Sequence, residues 1–150
     1  ESSAGLAALA VGFTLDPHTP PTPTLGARIV ELSEDLDLAL LKLETTLDRR
    51  PLSRDLRFPY LELGSGAALT LGSPLLHLGY PMTGGTGSFV TITATRGILA
   101  GFARESEGLL YKTDAAVHAG ISGGATLDES GKLVALPSSS LSDANQAGGI

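Results

Sequence analysis

The chain has 150 residues, with 10 Lys and Arg against 16 Asp and Glu for a formal net charge of −6. That is enough for one ordinary domain or two small subdomains with a real core. The acidic balance argues against a nucleic-acid groove or a polybasic membrane patch. The absence of cysteine excludes disulfides, thiolate metal sites and a cysteine nucleophile but says little about compartment, since bacterial exported proteins often need none. No apolar run approaches the roughly 18 residues of a membrane span, and the acidic start is no signal peptide. No membrane contact is therefore expected from these residues, while a mature domain downstream of a removed leader or anchor fits the same sequence.

The alternation from Ala10 to Leu15 predicts a strand. Four prolines then fall between Asp16 and Thr24. They prohibit helix or central strand and predict a surface loop in which His18 is solvated. Residues 26–32 read as a strand and Ser33, Glu34 and Asp35 as its turn. Leu36, Leu40, Leu43 and Leu47 fall on one helical face among good helix formers, so propensity alone favours a helix there.

The charged segment 48–57 is expected as a solvated connector. After a turn at Gly72 and Ser73, residues 75–79 form a short apolar strand ended by Tyr80 and Pro81. His77 alternates there with leucines and reads as a satisfied strand histidine rather than a ligand. The glycine-rich run 84–88 lacks the lysine and following helix of a phosphate loop, so a hairpin loop is expected. Residues 89–95 alternate as a strand, continued after a break at Gly97 through Phe102. A turn over residues 105–108, a strand over 109–114, a turn over 128–131 and a strand over 132–136 complete the pattern. Many short strands with turn signals between them and no convincing long helix predict an all-β barrel or sandwich.

The chemistry concentrates in residues 113–126, Thr-Asp-Ala-Ala-Val-His-Ala-Gly-Ile-Ser-Gly-Gly-Ala-Thr. Ser122, between Gly120 and the pair Gly123 and Gly124, sits where the backbone can turn sharply and a substrate can approach closely. Such a serine occurs in plain turns and in nucleophile loops alike. In the second case the amides of Gly120 and Ser122 can point into one volume and stabilise an oxyanion.

Three segments in order decide between these readings. Thr113-Asp114-Ala115-Ala116 followed by Gly120-x-Ser122-Gly123-Gly124, the run from Phe58 through Leu71-Gly-Ser-Pro to Pro81, and Asp37-Leu-Ala-Leu-Leu-Lys42 together resemble the trypsin-like serine proteases of the HtrA/Deg type. The resemblance covers roughly residues 36–136. It implies a chymotrypsin-like double β-barrel, incomplete at both ends. Residues 1–50 would be part of the N-terminal barrel, 51–68 the inter-barrel connector and 69–150 the C-terminal barrel. It also makes residues 36–47 a buried strand instead of a helix, with Asp37 as a buried carboxylate near its start.

The resemblance further implies Ser122 as nucleophile and Asp37 as the carboxylate orienting a histidine, with the amides of Gly120 and Ser122 as oxyanion hole. Ala116 would floor the S1 pocket and Leu136, Pro137 and Ser138 would wall it, so that a small or medium aliphatic P1 residue is expected. His118 lines the loop. The family's histidine precedes its aspartate at the end of a strand. His18 does not match that motif, and the histidine is expected a few residues before Glu1, leaving the chain inactive by itself. Ile121 stands where the family has a polar residue and Ala125 where it has proline, departures that suit a switchable loop. Expected partners are a polypeptide substrate and, by resemblance, further copies in a trimer, in an extracytoplasmic setting. No cofactor and no metal are implied. The rival reading is an inactive protease-like barrel that binds peptides on a strand edge. An α/β hydrolase fails for want of a helix after Ser122.

Overall fold

The computed structural model describes residues 9–81, 90–105 and 108–138. The glycine run 84–88 lies outside them. The chain divides into two compact units, Glu1–Phe58 and Pro59–Ile150, and its described secondary structure is nearly all β.

The first unit holds an antiparallel sheet of β1 (Leu9–Phe13), β2 (Thr22–Ser33) and β3 (Leu38–Thr46), in that order. β2 begins inside the proline-rich stretch expected to be loop. Pro23 enters the ladder opposite Gly12, where the register with β1 shifts, and at such an irregularity the missing amide proton of proline costs little. His18 is on the remaining loop, with Asp16 Oδ1 2.9 Å from both its backbone nitrogen and its Nδ1. These two contacts lower the Asp16 pKa, the backbone one first. Phe13 stacks on Phe58 at 5.3 Å between ring centres, tying the start of the unit to its end.

Residues 38–46 are strand, so the ladder with β2 outweighs the helix propensity of their leucines. The expectation that this strand is buried is corrected. Leu38, Leu40 and Leu41 are 40%, 58% and 42% exposed. Among the described residues of this unit a single sheet of three strands forms no second layer to cover them.

The second unit holds an antiparallel sheet of β4 (Pro74–Gly79), β5 (Thr93–Glu105), β6 (Gly108–Thr113), β7 (Ala125–Leu127) and β8 (Leu133–Ala135), ordered β6-β5-β4-β7-β8. Along β4 burial alternates, with Leu75, His77 and Gly79 on the buried face. Leu75 and Leu99 form the core, with Leu69, Tyr111, Val134 and Ala135 packed against them. Phe102 meets Tyr111 edge-to-face across β5 and β6, ring centres 5.7 Å apart.

Two strand expectations change here. β5 starts at Thr93, residues 90–92 being outside it and residue 89 outside the described residues, and it runs through Gly97 without the expected break. Its irregularity falls between Leu99 and Gly101. Gly97 is needed for another reason. A Cβ there would lie 2.6 Å from the backbone nitrogen of Ala115 and 2.5 Å from the Asp114 carboxylate, so the glycine lets the chain after β6 lie against β5.

The turn between β7 and β8 is closed by Asp128, whose Oδ1 accepts from the Ser130 hydroxyl at 2.7 Å and from the amides of Ser130 and Lys132 at 2.9 and 3.0 Å. These donors lower its pKa, the Ser130 hydroxyl most. Beyond β8, Gly64 N donates to Leu133 O and Leu133 N to Glu62 O, both at 2.8 Å, so residues 62–64 add a short parallel bridge to the sheet.

Candidate active site

The loop of residues 114–125 leaves the sheet at the end of β6 and returns to it at the start of β7. Both junctions are sealed. Thr113 and Thr126 are fully buried. At the first junction the Thr113 hydroxyl accepts the Ala115 amide at 3.1 Å, and Asp114 Oδ1 accepts the Ile98 amide at 2.7 Å, fastening the loop's first turn to β5.

The middle of the loop is anchored by a side chain. Ile121, 1% exposed, packs over the end of β4, where a Cβ on Gly79 would lie 2.5 Å from its Cγ1. Gly124 is pressed closer still. A Cβ there would lie 2.2 Å from Leu78 O and 2.8 Å from Ile121 O, so only glycine fits. This gives Ile121 a physical role that a polar residue could not fill without losing its partners, since it plugs the loop onto β4 by apolar contact.

Around that plug the backbone turns tightly. Gly120 and Gly123 have φ of 95° and 77°, values that favour glycine. Ile121 N donates to His118 O at 3.2 Å and Gly124 N to Ile121 O at 2.9 Å. Gly123 N donates to Pro137 O at 3.0 Å. Ser122 is exposed on this turn. The Gly123–Pro137 bond brings the segment after β8 against the serine turn, so Pro137, itself buried, lies beside Ser122 in the chain's fold, with Leu136 and Ser138 flanking it. Ala115 is 7% exposed, whereas Ala116 next to it is on the open side. His118 is also exposed.

Asp37 is in the other unit. It occupies the last position of the turn between β2 and β3, with φ of 50° and its amide donating to Glu34 O at 3.2 Å. Aspartate tolerates this left-handed conformation better than most residues. Its side chain is exposed, which corrects the expected buried carboxylate. His18, 89% exposed, is paired with Asp16.

The residue that sequence reasoning undervalued is His77. It is satisfied, as expected of a strand histidine, but by the two threonines that bracket the loop. Nδ1 is 3.0 Å from Thr126 Oγ1 and Nε2 3.2 Å from Thr113 Oγ1. Burial pushes the imidazole below its ordinary value, and the charge of Asp114 offsets part of that. The available signal was a histidine on the inward face of an otherwise apolar strand, which must find polar partners. A separate cavity of about 480 Å³, lined by Pro74, Leu76, Arg96, Leu127, Asp128 and Glu129 among others, contains none of the candidate catalytic residues.

Comparison with known proteins identifies relatives of the fold. The curated relative Protease Do-like 1, chloroplastic, of Arabidopsis thaliana is 26% identical over 136 residues, 85% of this chain and 28% of that protein. The structure of the HtrA-type protease AlgW with a decapeptide matches with a TM-score of 0.65 and 27% identity, over 86% of this chain and 37% of that one. Deg5 matches with a TM-score of 0.62 and 26% identity, over 81% and 54%. The chain therefore spans little more than a quarter of that curated relative. The model of the trypsin-like peptidase domain matches residues 3–136, and the chain belongs to that family.

Proposed function

We propose that this chain is the central part of an HtrA-type serine endopeptidase domain with Ser122 as its nucleophile. The observation that carries the reading is the serine turn itself: Ser122 is exposed between two glycines of positive φ, on a loop whose ends and centre are buried. Its Oγ attacks the peptide carbonyl, and the amides of Gly120 and Ser122 receive the developing oxyanion. A histidine takes the serine proton and delivers it to the leaving amine, with Asp37 orienting that ring. Water then releases the acyl group by the same steps in reverse.

The chain's own histidines are poor candidates for the base. His77 is enclosed by two threonines, His18 is 89% exposed on its proline-rich loop, and His118 is on the serine's own loop and does not match the family's histidine, which precedes the aspartate. The base is assigned to a histidine ahead of Glu1, and residues 1–150 alone are expected to lack turnover. The segment bonded to Gly123 and the uncharged Ala116 favour a small or medium aliphatic P1 residue in a polypeptide substrate.

The test is fluorophosphonate labelling of the full-length protein from its own source, with peptide mapping, followed by competition with peptidyl phosphonates carrying valine or lysine at P1. An adduct on Ser122 that vanishes in Ser122→Ala and is blocked better by the valine compound is expected. Preference for lysine would overturn the P1 assignment. No adduct on Ser122 would overturn the enzyme and favour a peptide-binding module built on the same fold.

A further inference from the structure

His77 joins the two ends of the nucleophile loop through a single ring. It is 0% exposed, as are Thr113 at the end of β6 and Thr126 within β7. Thr113 Oγ1 already accepts the Ala115 amide. That fills one of its two lone pairs; with the hydroxyl proton turned to Nε2, a neutral ring accepts there and donates from Nδ1 to Thr126. A third hydroxyl completes the cluster. Thr95 is His77's register partner on β5, and its Oγ1 is buried with no hydrogen-bond partner among the described residues.

We propose that His77 is a positioning residue that clamps both ends of the nucleophile loop while its ring is neutral, and that mild acid, by protonating the ring, releases the clamp. That the loop carries a nucleophile rests on the function proposed above; the clamp itself rests on the geometry of His77.

A protonated ring must donate from both nitrogens. Thr113 would then have to turn its proton away from Nε2, and a charge would stand in a buried cluster of neutral hydroxyls. The charged groups on the packed elements do little to receive it. Asp114, following β6, favours the charged ring and offsets part of the cost of burial, while its Oδ1 is held by the Ile98 amide. Arg96 on β5 pairs with Leu76, so it lies on the opposite face of the sheet from His77. Lys112 on β6 precedes Thr113 and is exposed. Asp128, beyond β7, is held by Ser130 and Lys132.

The direction of the pH effect follows. The folded ring has its pKa below the ordinary value of 6.5. An unfolded or released loop takes up the proton near that value, so the clamp contributes fully above it and is lost progressively as the pH falls below it.

The test is amide hydrogen exchange of the full chain across about pH 7.5 to about pH 5, corrected for intrinsic rates, together with NMR titration of the His77 ring. Exchange over residues 114–125 is expected to rise about tenfold toward acid while β2 and β3 stay level. His77→Gln keeps one donor and one acceptor but cannot titrate, and is expected to abolish the pH dependence. Thr126→Val is expected to raise exchange at every pH.

Loop exchange independent of pH in the wild type, an unchanged pH dependence in His77→Gln, or a ring titrating at or above its ordinary value would overturn the clamp. The ring titration needs no variant and decides even where substitution prevents folding. None of these readouts requires catalysis. A clamp that titrates while Ser122 takes no fluorophosphonate overturns the nucleophile and leaves the clamp; labelling of Ser122 with a loop indifferent to acid does the reverse.

Discussion

β3 and β4 are both short, leucine-rich strands, yet their side chains meet opposite fates. Along β3 the first five residues are exposed, whereas along β4 every second residue is buried. β4 is flanked by β5 and β7 and its inner face meets the core of Leu75 and Leu99. β3 is an edge strand of a sheet of three, paired along its length with β2 and bridged on its other side only near its end, at Thr45 and Pro51. The difference teaches that leucine content does not determine burial. A strand is buried by what is stacked on its face, and in the described residues only the second unit supplies that packing. The same contrast separates the candidate catalytic residues, with Ser122 on a loop anchored into a packed sheet and Asp37 at the tip of an open hairpin.

This contrast is strongest at Leu99, which is 0% exposed. Leu99→Ala is expected to cost about 2–5 kcal/mol through lost burial and the cavity left behind, read as a lower denaturant midpoint with unchanged slope. Next is the loop. Gly124→Ala, forcing a Cβ against Leu78 O and Ile121 O, is expected to cost about 1–3 kcal/mol as strain in a packed site and to abolish fluorophosphonate labelling of Ser122. The smallest effect belongs to the first unit, where Leu40→Ala, at a site 58% exposed, is expected to stay within about 0.5 kcal/mol by the same denaturation. If it costs as much as Leu99→Ala, β3 is covered in solution and the comparison between the two strands fails.

Much of the strand order was legible in the sequence because period-two alternation is local. β4, β6 and the turn at Asp128 were placed from residues within a few positions of each other. The failures were non-local. Pro23 looked like a loop residue because its tolerance inside β2 depends on Gly12 across the ladder. Gly97 looked like a break because its reason for being glycine is Ala115, which is distant in sequence. For residues 36–47 propensity alone favoured a helix, because the ladder partner β2 lies outside any short window, and it was the family resemblance that placed the strand.

The sequence by itself determined the side chains on offer: a serine among glycines in the order of the trypsin-like peptidases, no cysteine, an acidic balance and alternating apolar runs between turns that call for a β fold. These are matters of composition and near-neighbour spacing. Only the tertiary structure decided which residues hold the loop. Ile121 is a plug because Gly79 makes room for it, and His77 is a bridge because β6 and β7 bring Thr113 and Thr126 to opposite sides of one ring. Both depend on strands distant in the chain meeting in space, where a buried polar ring must find its partners or not be buried at all.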